Sequence, residues 1–102
     1  MTVELRKTQR FSQWLDGLAD LHGRARVLAR LERLATGHAG DVKPVGQGVS
    51  ELRIDSGPGY RVYFCQIGER LVLLLAGGSK SSQKKDIAAA IALATQFKER
   101  TP

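Results

Sequence analysis

Cys65 is the only cysteine in the sequence, so no internal disulfide can form and no CxxC zinc motif exists. No apolar run approaches the roughly 20 residues needed to cross a bilayer. The opening residues Met1-Thr2-Val3-Glu4-Leu5-Arg6 turn polar at once, so no secretory leader is expected. The expected location is therefore the cytoplasm, with no membrane partner. The GxxxxGK[ST] phosphate loop is absent, which argues against a nucleoside triphosphate site. No His, Asp and Glu grouping has metal-ligand spacing, so neither a metal nor another cofactor is expected. The two histidines, His22 and His38, fall at predicted helix ends, and the serines at 79, 81 and 82 have no histidine near them in sequence, so a serine triad has no support.

What remains is a globular composition, 42% hydrophobic over 102 residues. That length holds one hydrophobic core, so residues 1–102 are read as a single domain. Sixteen Lys and Arg stand against ten Asp and Glu, a net charge of +6. A small domain this basic is expected to meet a polyanion: nucleic acid, an anionic surface or an acidic protein.

The hydrophobic pattern changes period along the chain. Val3-Glu4-Leu5 alternates like a short edge strand. Phe11, Trp14, Leu15, Leu18 and Leu21 then recur at helical spacing behind Thr8, a plausible N-cap. His22-Gly23 interrupts the pattern, and Val27, Leu28, Leu31, Leu34 and Ala35 predict a second helix closed by Gly37. Residues 39–48 read as turn-rich. Strands are predicted around Leu52 and Ile54, over Tyr60–Ile67 and over Leu71–Ala76, the last apolar enough to be central and covered on both faces. Ile87, Ala90, Ile91, Ala94 and Phe97 predict a closing helix. The order β-α-α-β-β-β-α, with short turns between the later strands, predicts an α+β fold. A small antiparallel sheet would carry a helical hairpin and a C-terminal helix.

Two places concentrate unusual chemistry. The first is the junction Gly77-Gly78-Ser79-Lys80-Ser81-Ser82-Gln83-Lys84-Lys85-Asp86, where a strand runs into a helix start. Lys80, Lys84 and Lys85 oppose the positive end of the helix dipole, an arrangement that an anion would complete. The two glycines would let backbone approach that ligand. Equally, the run is an ordinary solvated helix start. The second is the polar face of the sheet. If the strands pair through the Ser56–Gly59 turn, Arg53 and Arg61 share a face, Lys80 lies beyond it, and a phosphodiester fits between them. Tyr63 on that face is then placed to stack a base. The competing expectation is that Arg61 simply pairs with Glu51 or Asp55 across the strands.

The strings Glu51-Leu52-Arg53-Ile54, Gly59-Tyr60-Arg61-Val62-Tyr63-Phe64 and Leu73 through Ile87 resemble the RelE/ParE toxin superfamily, in its HigB-like, phage-derived Gp49-like branch, also called addiction module killer proteins. The likeness runs nearly end to end, through the Trp14-Leu15 helix and the Gly40-Asp41-Val42-Lys43 turn. It implies the toxin of a type II toxin–antitoxin system, an endoribonuclease that cleaves mRNA in the ribosomal A site without metal. The implied partners are mRNA, the ribosome and an adjacently encoded antitoxin with a helix-turn-helix domain. The family's catalytic arginine falls on Arg61 and its following basic residue on Lys80. Asp86 is carried over as a candidate base, and Lys43, Arg53, Tyr63, Lys84 and Lys85 as RNA contacts. The tyrosine of RelE's last helix has no counterpart near Asp86, and the histidine common near the last helix in HigB-type sites is also missing. Two alternatives follow from the same family: a ParE-like toxin that inhibits DNA gyrase by contact, and an inactive, antitoxin-binding relic.

Overall fold

In the computed structural model, which describes residues 2–100, these periodicities resolve into five strands and three α-helices among the described residues. In chain order they are β1 (Glu4–Lys7), α1 (Gln9–Asp16), α2 (Leu21–Ala35), β2 (Val42–Gly46), β3 (Val49–Ile54), β4 (Tyr60–Ile67), β5 (Leu71–Ser79) and α3 (Gln83–Arg100). A 3-10 turn at Lys80–Ser82 joins β5 to α3. The strands form one sheet in the order β1-β5-β4-β3-β2. From β2 to β5 the pairing is the expected antiparallel meander, but β1 runs parallel to β5, with Glu4 opposite Leu71 and Lys7 opposite Leu74. The sheet is therefore mixed. The helical hairpin carries the chain away after β1, so the edge that β1 can join is left to β5 and the direction of return is parallel.

Thr8 caps α1 as its sequence position suggests: its Oγ1 accepts from Phe11 N at 3.1 Å and donates to Leu75 O at 2.7 Å, so one hydroxyl starts the helix and ties it to β5. The apolar run Leu71–Ala76 is indeed covered on both sides. Phe11, Leu15, Val27 and Leu31 of the hairpin pack with Leu52, Val62 and Leu74 on one face. Ala90 and Ala94 of α3 pack with Tyr63, Cys65, Leu73 and Leu75 on the other. Burial pushes the Cys65 thiol up, away from the reactive thiolate, with Lys98 opposing only weakly.

Three boundaries differ from the sequence pattern, each for a tertiary reason. The turn-rich segment 39–48 contains β2, with Lys43 and Pro44 exposed on the sheet edge. Pro is tolerated there because an edge strand has an unused N–H side. Strand β5 continues through Gly77 and Gly78 to Ser79 because Tyr60, Arg61 and Val62 of β4 pair with those residues. Gly23 lies inside α2. The first helix stops at Asp16, Asp20 caps the second by accepting from Gly23 N at 3.0 Å, and Leu21 opens α2 74% exposed instead of continuing the core stripe of α1.

Gly23 is where Tyr60 of β4 meets the hairpin. The Tyr60 hydroxyl donates to Asp20 Oδ2 at 2.9 Å, and its ring meets Trp14 edge-on with centroids 6.2 Å apart. The hydrogen bond to the Gly23 backbone N–H, followed by that from Tyr60, holds the Asp20 carboxyl below its ordinary pKa. A Cβ on Gly23 would collide with the Tyr60 ring and lie 2.6 Å from Asp20 Oδ2. Helix propensity favours Gly23→Ala by about 1 kcal/mol, yet overpacking at the ring is expected to outweigh it by about 1–3 kcal/mol. Thermal unfolding should show a lower midpoint. An equal or higher one would mean that Tyr60 yields freely.

Candidate nucleic-acid interface

The centre of the site is a buried carboxylate. Glu51 points from β3 to the α3 face of the sheet and is fully buried. Its Oε1 accepts from Arg53 Nε at 3.1 Å and from Arg61 Nη1 at 3.2 Å, and its Oε2 accepts from Tyr63 Oη at 3.1 Å and from Gln83 Nε2 at 2.7 Å. Burial raises the carboxyl pKa, but the hydrogen bonds from Arg53, Gln83 and Tyr63, with the Arg61 charge, outweigh it and hold the group below its ordinary value of 4.5. With both oxygens occupied and the charge stabilised, Glu51 is poorly suited to take up a proton.

Arg53 and Arg61 are direct cross-strand partners. Like charges in that position repel, and Glu51 is the anion that lets them stand together. Their outward sides form a shallow cleft of about 370 Å³, lined by Arg53, Arg61 and Lys80, with Gly59, Asp41 and Asp55 at its margin. Arg61 is mostly buried, at 13% side-chain exposure, while Arg53 is 36% exposed. Among the described residues, Arg53 uses only Nε and Arg61 only Nη1 for hydrogen bonds. Guanidinium donors remain on both, the forked geometry that matches phosphate oxygens.

The backbone supplies the rest of the placement. Lys80 is exposed at the start of the 3-10 turn, with its N–H 3.4 Å from Pro58 O, so the turn preceding β4 carries it to the cleft. Gly59 has φ +76°, a left-handed conformation that favours glycine, and a Cβ there would sit 3.4 Å from Lys80 Cβ. From behind, Arg30 of α2 donates to Arg53 O at 2.6 Å and to Ala39 O at 2.8 Å, while Arg53 N donates to Asp41 O at 2.9 Å. These bonds hold the end of β3 and the segment that brings Asp41 to the rim.

The sequence-derived candidates separate in space. Arg53, Arg61 and Lys80 converge. The expected pairing of Arg61 with Glu51 holds as well, so the two expectations are compatible. Tyr63 does not serve as a stacking platform: its ring is fully buried and its hydroxyl is committed to Glu51. Burial, reinforced by the Glu51 charge, raises its pKa far above the ordinary value. Lys43 lies on exposed β2 opposite Glu51, outside the cleft. Lys84 and Lys85 are exposed in the first turn of α3.

Asp86 is also redirected. It is buried, accepts from Ser82 Oγ at 2.5 Å, lies 4.0 Å from Arg10 Nη2, and faces a separate groove with Trp14 and Tyr60. The glycines of the junction make room for side chains, not for a ligand. A Cβ at Gly77 would strike the Trp14 ring, and one at Gly78 would strike the Asp86 carboxylate. The anion that the start of α3 calls for is thus supplied from within its own first turn. The histidines do not line the cleft. Sequence reasoning missed Asp41 as a rim carboxylate. Its position depends on the β2–β3 pairing, and the turn composition of 39–48 gave no sign of that pairing.

The model of phage-derived Gp49-like proteins (DUF891) matches residues 13–99. The chain belongs to the Gp49-like family. A Haemophilus influenzae protein described as uncharacterized is 47% identical over 97 residues, spanning 95% of this chain and 98% of its own length. The fold is shared with the E. coli toxin RelE. A double arginine mutant of that toxin in its free state aligns with a TM-score of 0.73 over 90% of this chain and 97% of RelE, at 18% identity. This Gp49-like protein therefore has the RelE/ParE-like architecture that its motifs resemble.

Removing one partner of a buried ion cluster strands the others, at a typical cost of about 3–5 kcal/mol. Glu51→Ala is expected to lose stability on that scale in urea denaturation, because Arg61 and Tyr63 would remain buried without their acceptor. The pH dependence has a defined sign. The folded pKa of Glu51 is depressed below 4.5, so its contribution is complete above that value and is lost as acid titrates through the folded pKa. Unfolding free energy measured between pH 7 and pH 2 should fall more steeply in the native protein than in Glu51→Gln. Parallel curves would remove Glu51 from the acid transition.

Proposed function

We propose that this Gp49-like protein is the toxin of a type II toxin–antitoxin system, acting as an endoribonuclease on mRNA in the ribosomal A site. The observation that carries this reading is the convergence of Arg53, Arg61 and Lys80 on one cleft, with two guanidiniums fixed by a carboxylate below them. The RelE-like fold and the family resemblance support it.

In this mechanism the scissile phosphate lies in the cleft against Arg61, with Arg53 and Lys80 on its flanks. The adjacent ribose 2′-oxygen forms a bond to phosphorus while its proton leaves to a base. The bond from phosphorus to the 5′-oxygen breaks, and that oxygen takes a proton. The products are a 2′,3′-cyclic phosphate and a 5′-hydroxyl. Arg61 stabilises the charge that grows on the pentacovalent phosphate, and it does so without reorganising, because Glu51 already holds it. Asp41 and Asp55 are the carboxylates at the cleft margin that can accept the 2′ proton. Positioning of the mRNA by the ribosome supplies much of the remaining rate. The family reading requires no metal, and it adds a cognate antitoxin with a helix-turn-helix domain as the neutralising partner.

The test is a 5′-end map of a defined mRNA incubated with purified protein, with and without translating ribosomes. Cuts within codons only when ribosomes are present support the full proposal, and cuts in bare RNA keep the nuclease but remove the ribosome. No cuts from protein that still arrests growth would turn the reading toward a ParE-like action on gyrase, visible as SOS induction. Neither cuts nor arrest would make the chain an inactive relic. Arg61→Ala should slow cleavage by about 10²–10³-fold, the scale of losing one preorganised oxyanion donor, while the circular dichroism spectrum stays native.

A further inference from the structure

Helix α2 turns a second, chemically different surface to solvent, away from its packed face. At 3.6 residues per turn, the buried side of α2 is Gly23, Val27, Leu31 and Leu34. The opposite side divides lengthwise. Leu21, Ala25 and Leu28 form one flank, Arg26 and Arg33 the other, and Ala29 lies between them. Leu21 is 74% exposed and Leu28 41%, and they are the two exposed large hydrophobic residues among those described. Single exposed leucines are ordinary, but two of them aligned along one helix, beside small alanines that allow close approach, form a continuous apolar strip.

The arginine flank is equally unpartnered. Arg26 and Arg33 are exposed and have no ion pair or hydrogen bond from their guanidiniums among the described residues. With Arg30 they line a groove of about 310 Å³ against Ile54 and Asp55. Arg33, in the last turn, also complements the helix dipole. Arg26, in mid-helix, has no such role.

We propose that this face of α2 is the docking surface for an acidic amphipathic helix of another protein. Leucine-sized side chains of that helix would cover Leu21, Ala25 and Leu28, and its carboxylates would pair with Arg26 and Arg33. The strip from Leu21 to Arg33 is about 18 Å long at 1.5 Å per residue, which matches three to four turns of such a partner. Charge complementarity selects the occupant's sign, and the leucines select its class. RNA would gain from the arginines but nothing from exposed leucines, and this face carries no aromatic ring for base stacking. A helix laid in an apolar strip gains from both. The antitoxin is the natural carrier of that helix, and in this respect alone the inference rests on the toxin–antitoxin reading.

The test uses the full chain and a labelled 18-residue peptide with leucines at i, i+4 and i+7 and glutamates on the adjoining face. The controls are a scrambled peptide of the same composition and a single-stranded oligo(U) RNA. Fluorescence anisotropy is expected to show the amphipathic peptide binding at least about tenfold more tightly than the scrambled one, the scale of losing an apolar anchor. The double variants Leu21→Ser with Leu28→Ser, and Arg26→Glu with Arg33→Glu, should each weaken it by a similar factor. All four residues are exposed, so thermal unfolding should be unchanged. Arg26→Gln with Arg33→Gln serves if the glutamates perturb the helix. Equal binding of the two peptides, indifference to either variant pair, or no peptide binding would overturn the proposal. Loss of oligo(U) binding in the arginine variant with peptide binding intact would reassign the flank to RNA and overturn it as well. Because the peptide assay does not involve cleavage, a native chain that cuts no mRNA would count against the nuclease reading and leave this result standing.

Discussion

Everything at the candidate site depends on one buried negative charge. Arg53 and Arg61 face each other across β3 and β4, an arrangement that by itself would push the strands apart. Glu51 reverses the sign of that contact. It accepts from both guanidiniums, from Tyr63 beneath them and from Gln83 at the start of α3. The carboxylate therefore links two strands and a helix as well as two cations. Its desolvation cost is met by four donors, a fully satisfied network of the kind that stabilises one geometry over its alternatives. The free cations of the cleft are what remains of the arginines after Glu51 has taken one donor from each.

The junction between β5 and α3 shows how a signal for ligand binding can arise from internal packing. Glycines, serines and lysines before a helix suggest an anion cradle. Here the glycines accommodate Trp14 and Asp86, and the Asp86 carboxylate sits in the first turn, where the helix dipole favours it. One residue of that run, Lys80, is turned to the basic cleft, because the 3-10 turn places it beside Gly59. The cationic cleft and the Trp14–Asp86 groove meet along this short segment and remain chemically distinct.

Helix α2 connects the two ends of the molecule's surface chemistry. Its inner side carries core residues and Arg30, which grips the backbone at Arg53 and Ala39 and so braces the cleft from behind. Its outer side carries leucines and unpaired arginines. A charge of +6 on 102 residues is thus not spread evenly in role. Some cations are neutralised inside the site, some line the cleft, and some stand on a helix face well away from Glu51.

The sequence alone determined the periodicities, and with them most elements of the fold. The helical stripes, the Thr8 cap, the buried character of Leu71–Ala76 and the shared face of Arg53 and Arg61 all follow from local spacing. Local spacing could not determine what lies opposite each residue. The parallel placement of β1, the strand hidden in 39–48 and the helical position of Gly23 are set by partners distant in sequence, such as Leu71, Glu51 and Tyr60. The same holds at the site. Arg61 was legible from the alternation and its motif, whereas the burial of Tyr63, the turning of Asp86 toward Arg10 and the arrival of Asp41 at the rim were decided only by tertiary packing. The physical reason is that alternation assigns a face, while burial and pairing depend on what the rest of the chain lays over that face.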